Sequence, residues 1–158
     1  MRYQDYICGE TQRAADAAFK EATFVPADKL DWKPLDEGRS VLDQCQEMAQ
    51  CALWCEQIIA GEGMPDFNEE TFAKIQEERK SWLTIEACQA ECNKRLESLY
   101  KVIKSIPDDQ LAKTKWLPFG GGREHSWQEM MDYPRWNFVY HLGQISYVQT
   151  LYGDKEMH

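Results

Sequence analysis

The sequence predicts an all-α protein that folds as a four-helix bundle, as one domain over residues 1–158. Four blocks carry apolar residues at steps of three and four, which places those side chains on one face of a helix. No segment of useful length alternates apolar and polar residues as a half-buried strand would. Proline and glycine occur in the stretches between the blocks, so we expect long connecting loops.

The first two blocks are predicted as helices over residues 2–22 and 39–60. The first has one apolar face, formed by Ile7, Ala14, Ala15, Ala18 and Phe19. The second has the spacing of a bundle seam, at Val41, Cys45, Met48, Ala52, Cys55 and Ile59. Pro26 follows the first block and Gly61 the second, and both residue types end helices.

The third block opens at Asn68, a favourable N-cap, with Glu69 and Glu70 in the first turn. Its apolar stripe continues to Ser105, just before Pro107. More than about 30 residues is long for a globular helix, so the pattern allows a break within it.

The last block is predicted as a helix from Ser126 to Tyr152. Glu129 stands three residues after Ser126, as in a capping box, and Pro134 is expected to bend the helix. The preceding stretch, Lys115–Glu124, contains three consecutive glycines and is predicted to be a flexible crossing loop. It lacks the strand context and the Lys-Ser/Thr pair of a phosphate-binding loop.

The charge balance excludes several classes of partner. The chain has 18 Lys and Arg against 27 Asp and Glu, a formal net charge of -9. It has no basic stripe to neutralise phosphates, so we expect neither nucleic acid nor an anionic membrane surface as a partner. No apolar run approaches the roughly 18 residues of a membrane span, and the first residues lack a signal-peptide core. A cytoplasmic location is therefore expected.

The six cysteines are predicted to be small apolar core residues in a reducing compartment. Four of them form the i, i+4 pairs Cys51/Cys55 and Cys88/Cys92. A metal site of four thiolates and redox-active thiols remain alternatives, although thiolate metal sites usually use a Cys-x2-Cys turn instead of helical spacing.

Polar residues on one face of the last block indicate a functional pocket. Three lie at positions i, i+4 and i+7, namely Asn137, His141 and Gln144. Tyr133 and Tyr140 border this line, which favours a cavity or the bundle interior over a solvated surface. Gly143 lies in mid-helix, where glycine costs about 1 kcal/mol relative to alanine, and a close helix contact would explain it.

An acidic residue of the second block is a candidate partner for this line. Glu47 directly precedes the seam residue Met48, so it faces His141 if the second and last helices pack together. A buried carboxylate needs an imidazolium or a metal as its partner. The alternatives are a core histidine satisfied by an ordinary hydrogen bond and a solvated glutamate.

Three stretches resemble the DinB/YfiT-like superfamily of four-helix bundles. Residues Trp32–Asp43 are similar to the entry into that family's second helix, and Pro118–Met130 to the loop and start of its final helix. The most specific stretch is Tyr140–Ile145, which contains His-Leu-Gly-Gln and resembles the family's His-x-Gly-Gln signature. The resemblance extends from about residue 5 to residue 153.

The resemblance implies a divalent-metal site, held in such families by one histidine of the second helix and a His-x3-His pair of the last. His141 matches the final ligand, but Asn137 and Glu47 occupy the other two positions. We therefore expect a degenerate site for Zn, Ni or Fe at Glu47, Asn137 and His141, with Gln144, Tyr133 and Tyr140 around it. A neutral amide is a poor ligand for these metals, which weakens the site.

The functional expectation is a DinB-like protein of unassigned activity. Acting as a metal-dependent hydrolase or thiol transferase, it would take a small molecule or a thiol as substrate. The alternative is a bundle without the metal that binds a small molecule or serves in interactions. By analogy with related bundles, we expect a homodimer.

Overall fold

A computed structural model of the chain describes residues 1–35, 37–61, 68–118, 121–156 and 158. Within these ranges the chain forms helices and one β-hairpin. In order, they are α1 (Tyr3–Ala22), α2 (Val41–Ala60), α3 (Glu69–Arg79), α4 (Ile85–Ser105), β1 (Thr114–Leu117), β2 (Arg123–Ser126) and α5 (Trp127–Leu151). Short 3-10 turns at Ala27–Lys29 and Asp108–Gln110 precede α2 and the hairpin.

The four long helices α1, α2, α4 and α5 form the bundle, which confirms the predicted fold. The most extensive contacts join α2 to α4 and α1 to α5, while α2 with α5 and α1 with α4 complete the ring. The core is apolar, and its largest fully buried side chains include Phe19, Phe138, Met48, Leu96 and Leu99. The seam between α2 and α5 is the one that holds the candidate site.

Local capping explains where α2 and α5 begin and end. The Ser40 hydroxyl accepts a hydrogen bond from the backbone N–H of Asp43, and Gly61 ends α2 in the left-handed conformation with φ of 92°. Ser126 and Glu129 form the predicted capping box at the start of α5. The α5 helix continues through Pro134 to Leu151.

The predicted third helix is in fact two helices, α3 and α4, separated by residues 80–84. Asn68 caps α3 as expected, and Thr84 caps α4. At the break, the side-chain amide of Gln46 on α2 donates to the carbonyls of Arg79 and Trp82, at 3.1 and 2.9 Å. These contacts satisfy carbonyls that a continuous helix would have used itself, so tertiary packing stabilises the break.

The prediction of a flexible loop over Lys115–Glu124 was wrong at both of its flanks. These flanks pair as the antiparallel hairpin β1–β2. Strands of four residues are too short for an alternating pattern to stand out. Gly122 has φ of 83°, and a Cβ there would overlap the ring of Trp116. Phe119 and Gly120, in the same stretch, lie outside the described residues.

Two further expectations concern the cysteines and the membrane. All six cysteines are buried and free, as predicted for core residues. Among the helices that the structure describes, none has the length and apolarity to cross a membrane.

Candidate functional site

Glu47 of α2 and His141 of α5 are in contact. Glu47 Oε1 lies 3.0 Å from His141 Nε2, and Asn137 Nδ2 donates to the same carboxylate oxygen at 3.4 Å. The structure therefore brings together the three predicted site residues, which are up to 94 positions apart in sequence. Their role as metal ligands stays a prediction.

The imidazole of His141 is fully buried, with hydrogen-bond partners on both nitrogens. Its Nδ1 lies 3.0 Å from Gln144 Oε1 and 3.3 Å from Gln44 Oε1. Both ring nitrogens therefore face oxygen atoms, so whichever nitrogen carries a proton has an acceptor beside it. This places Gln144 where the sequence predicted it, beside His141.

The guanidinium of Arg39 binds the other oxygen of Glu47. Its Nη1 lies 2.6 Å from Glu47 Oε2, and its Nε donates to Asp43. Burial alone would raise the pKa of Glu47, but the hydrogen bond and charge of His141 and the charge of Arg39 outweigh it and lower the pKa to about 2. Glu47 is therefore an ionised carboxylate at neutral pH, held between the Arg39 guanidinium and the His141 ring.

Asn137 is the least satisfied member of the site. It is only 4% exposed, and its Oδ1 has no hydrogen-bond partner among the described residues. Rotating the amide by half a turn would direct Oδ1 at the Glu47 carboxylate, where two acceptors would face each other. In the observed orientation, Asn137 Oδ1 is therefore a buried acceptor that could still accept a hydrogen bond.

The donor set does not fit a tightly bound divalent metal. A catalytic zinc site needs three good protein ligands, and here only Glu47 and His141 qualify, because Asn137 directs its NH2 group to the site. Arg39 also neutralises the carboxylate that a metal would need. Throughout the described residues, no three His, Cys, Asp or Glu side chains are arranged to hold a metal ion.

An aromatic rim borders the site along α5. The rings of Tyr133 and Trp136 stack at 5.6 Å between centroids, and those of Trp136 and Tyr140 at 5.3 Å. Tyr140 also packs edge-on against the ring of His141. The two predicted pocket tyrosines are nearly half exposed, so they form the outer rim of the site and not the bundle interior.

A mostly apolar cavity of about 220 Å³ adjoins the aromatic rim, between the end of α2, the hairpin and the start of α5. Its lining is Cys55, Ile58, Leu117, His125, Glu129, Met130, Tyr133 and Trp136. Burial raises the pKa of the Tyr133 hydroxyl, and the thiols of Cys51 and Cys55 and the Glu47 carboxylate raise it further. Among the predicted site residues, Tyr133 belongs to the lining of this cavity, whereas Glu47, Asn137 and His141 do not.

Sequence reasoning missed Arg39, Gln44 and most of the cavity. Arg39, Asp43 and Glu47 are spaced by four, and Gln44 precedes Glu47 by three, so helical spacing contained a signal for both contacts. The cavity had no such signal, because its lining comes from three separate elements.

The described residues do not make the close helix contact that was expected at Gly143. A Cβ built on this residue would meet no heavy atom within 4 Å among the described residues, apart from its neighbours and its own helix. Packing inside one copy of the bundle therefore does not explain the glycine.

Comparison with known proteins identifies the fold. No family model matches the chain, and no curated protein matches it. Among solved structures, YfiT from Bacillus subtilis matches with a TM-score of 0.73 and 11% identity, covering 95% of this chain and 87% of that one. YfiT is described as a probable metal-dependent hydrolase with an unusual four-helix bundle topology. The chain thus has the DinB/YfiT-like four-helix bundle fold that its His-Leu-Gly-Gln segment indicated.

Proposed function

We propose that this chain is a metal-independent bundle that binds a small molecule in the apolar cavity lined by Tyr133 and Trp136, without catalysing its conversion. The observation that carries the proposal is the state of Glu47, whose carboxylate already pairs with the Arg39 guanidinium and contacts the His141 ring. The Arg39 guanidinium thus supplies at this carboxylate the positive charge that a divalent metal would supply. The six free cysteines fit a cytoplasmic location, which is part of the proposal.

The cavity indicates the kind of ligand. An apolar cavity of about 150 Å³ accommodates benzene, so 220 Å³ suits one substituted ring or a short branched chain. The apolar side chains of Ile58, Leu117 and Met130 favour a hydrocarbon body. The carboxylate in the lining, Glu129, is an acceptor, so the ligand should carry a hydrogen-bond donor at one end.

The same contacts argue against acid–base catalysis by His141. A catalytic base must reach the proton that it removes, but the His141 ring is fully buried and both nitrogens are engaged. Glu47 interacts with Arg39, His141 and Asn137, and a pKa of about 2 makes it a weak base. Binding is therefore better supported than turnover.

A metal-dependent hydrolase or thiol transferase is the second candidate, and one observation favours it. The 3.0 Å between Glu47 Oε1 and His141 Nε2 also suits adjacent ligands on one metal with bonds of about 2.1 Å. Gln44 and Gln144 contact the other ring nitrogen, Nδ1. In metalloproteins, the ring nitrogen of a histidine that does not bind the metal commonly has a hydrogen-bond partner of this kind. In that case Arg39 would have to leave Glu47.

Metal analysis separates the two candidates. The protein is purified without a metal-affinity column and dialysed against Zn, Ni or Fe, and bound metal is measured per chain. We expect well below one equivalent for the wild type and close to one for Asn137→His, which restores the His-x3-His pair. One tightly held equivalent in the wild type, lost in Glu47→Ala, would establish the second candidate instead.

Ligand screening in the presence of a chelator tests binding itself. One-ring phenols and amines should raise the melting temperature, whereas long-chain compounds that exceed the cavity should not. Ile58→Trp, which fills the cavity, should abolish the shift, while Leu83→Trp at an exposed position should preserve it. A shift that survives Ile58→Trp would place the ligand elsewhere and contradict the proposal.

A further inference from the structure

A groove of about 490 Å³ lies between the segment that precedes α2 and the second half of α5. Its walls are mostly apolar and come from Pro34 and Leu35 of that segment and from Tyr147, Val148 and Leu151 of α5. The described lining of this groove shares no residue with the cavity of the proposed function. Ligand pockets usually measure about 300–1,000 Å³, so the groove has the size of a separate binding site.

Two glutamine amides, of Gln44 on α2 and Gln144 on α5, form the polar floor of this groove. Each places its Oε1 beside His141 Nδ1, at 3.3 and 3.0 Å, so the two amides lie next to each other. Among the described residues, no acceptor takes a hydrogen bond from either NH2 group. Gln44 is only 2% exposed, so it lies at the bottom of the groove that it lines.

These two unused NH2 groups indicate which part of a ligand the floor would bind. A donor that is largely withdrawn from water costs free energy until an acceptor reaches it. A carbonyl oxygen has two lone pairs, so it can accept from both amides at once. Both glutamine oxygens stay beside His141 in that arrangement, so the ligand leaves the contacts of Glu47 unchanged.

The charges around the groove favour an uncharged carbonyl compound over a carboxylate. Arg39 lines the groove, but its guanidinium already binds Glu47 at 2.6 Å and Asp43 at 2.5 Å. Glu37 adds an exposed acid to the lining, and the chain has a net charge of -9. A carboxylate would meet this negative potential beside a guanidinium that is already paired. Ketones and esters avoid that repulsion.

The apolar walls expose side chains that a ligand would bury. Leu35 is 94% exposed, Tyr147 64% and Leu151 45%. Leu35 also has φ of 55°, in the left-handed region that strains the backbone of a leucine. The backbone N–H of Gly38 donates to the Pro34 carbonyl at 2.9 Å, and this turn presents Leu35 at the groove. These walls are removed from water only when an apolar body occupies the groove.

We propose that the groove binds an uncharged aromatic ketone or ester of about two rings, with its carbonyl oxygen between the amides of Gln44 and Gln144. An apolar cavity of about 150 Å³ holds one benzene ring, so about 490 Å³ accommodates two. The exposed ring of Tyr147 offers an aromatic face for one of them. This second site takes a hydrogen-bond acceptor, whereas the cavity of the proposed function takes a donor on a single ring.

Benzophenone and diphenylmethane test the proposal, because both have two rings and only benzophenone has a carbonyl. Equilibrium dialysis with the full chain should show benzophenone binding about tenfold more tightly, as two net hydrogen bonds imply. In the double variant Gln44→Met, Gln144→Met, the two affinities should become equal, while diphenylmethane binds as before and so shows that the groove is intact. Gln57→Met, at a half-buried glutamine that lines another groove, is the matched control and should keep the difference.

Photolabelling locates the site, because irradiated benzophenone bonds covalently to the residues that it touches. Mass spectrometry should find the label at Leu35, Val148 or Leu151, and equally in Ile58→Trp, where the other cavity is filled. Label at Ile58 or Met130 would overturn the proposal. So would equal wild-type affinities for the two compounds, or tighter binding of para-benzoylbenzoate, which adds a carboxylate. The two sites have separate linings, so these outcomes are independent of ligand binding in the cavity.

Discussion

Helix α2 packs against α4 through small apolar side chains and against α5 through charged and amide groups. Toward α4, the buried side chains include Cys45 and Met48 on α2 and Cys88 and Cys92 on α4. Cys92 Sγ donates to the backbone carbonyl of Met48 at 3.6 Å, so the α4 helix approaches closely there.

The seam toward α5 is built differently. Gln44 and Glu47 on α2 meet Asn137 and His141 on α5, and Arg39 closes the arrangement from outside. Such groups must be desolvated on folding, and their mutual contacts offset that penalty only if every polar atom is satisfied. One polar atom of this seam, Asn137 Oδ1, has no hydrogen-bond partner among the described residues. The comparison indicates that the α4 seam holds the fold together, whereas the α5 seam is available for function.

The largest effect is expected in the apolar seam. Met48→Ala should lower the free energy of unfolding by about 3 kcal/mol, because it removes a fully buried side chain from a packed core. Urea denaturation measures this, and Leu83→Ala, at a side chain 64% exposed, should change it by less than about 0.5 kcal/mol. Equal losses for both variants would contradict the assignment of stability to this seam.

A smaller loss is expected from the polar seam. Glu47→Ala should lower the free energy of unfolding by about 2 kcal/mol, because it leaves Arg39 and His141 without their shared anion. The loss stays below the Met48 value because Glu47 is 25% exposed, so water can solvate its partners. The control is Glu77→Ala, which breaks an exposed pair with Lys80 and should cost less than about 0.5 kcal/mol.

The polar seam should also respond to pH, unlike the apolar one. The pKa of Glu47 falls from its ordinary 4.5 to about 2 in the folded protein, so the ionised group stabilises the fold fully above about pH 4.5. That contribution is lost as the pH falls toward 2. The stability difference between wild type and Glu47→Gln should therefore shrink over this window. The difference for Met48→Ala should stay constant, and a constant difference for Glu47→Gln would disprove the charge argument.

The smallest effect is expected at Asn137. Asn137→Leu removes an unsatisfied buried acceptor and one 3.4 Å hydrogen bond, so the free energy of unfolding should change by no more than about 1 kcal/mol. Urea denaturation in the absence of ligand checks this. A loss above about 2 kcal/mol would mean that Asn137 is a structural element of the seam, and the contrast between the two seams would then disappear.

Much of this architecture was predictable, because the signals are local. The predicted N-caps at Asn68 and Ser126 were correct, and so was the predicted helix of the second block. The contact between Glu47 and His141 was predicted only on the condition that their helices pack together. The α3–α4 break and the hairpin were not located, since the break depends on Gln46 and the strands are too short for a pattern.

The sequence by itself determined four amphipathic helices and the polar line that ends in His141, since side chains three or four residues apart interact within one helix. Only the tertiary structure decided that Arg39 and His141 share the Glu47 carboxylate and that Asn137 Oδ1 has no hydrogen-bond partner among the described residues. It also decided that Gly143 faces open space. These facts depend on side chains from elements far apart in the chain, whose distances no local spacing fixes.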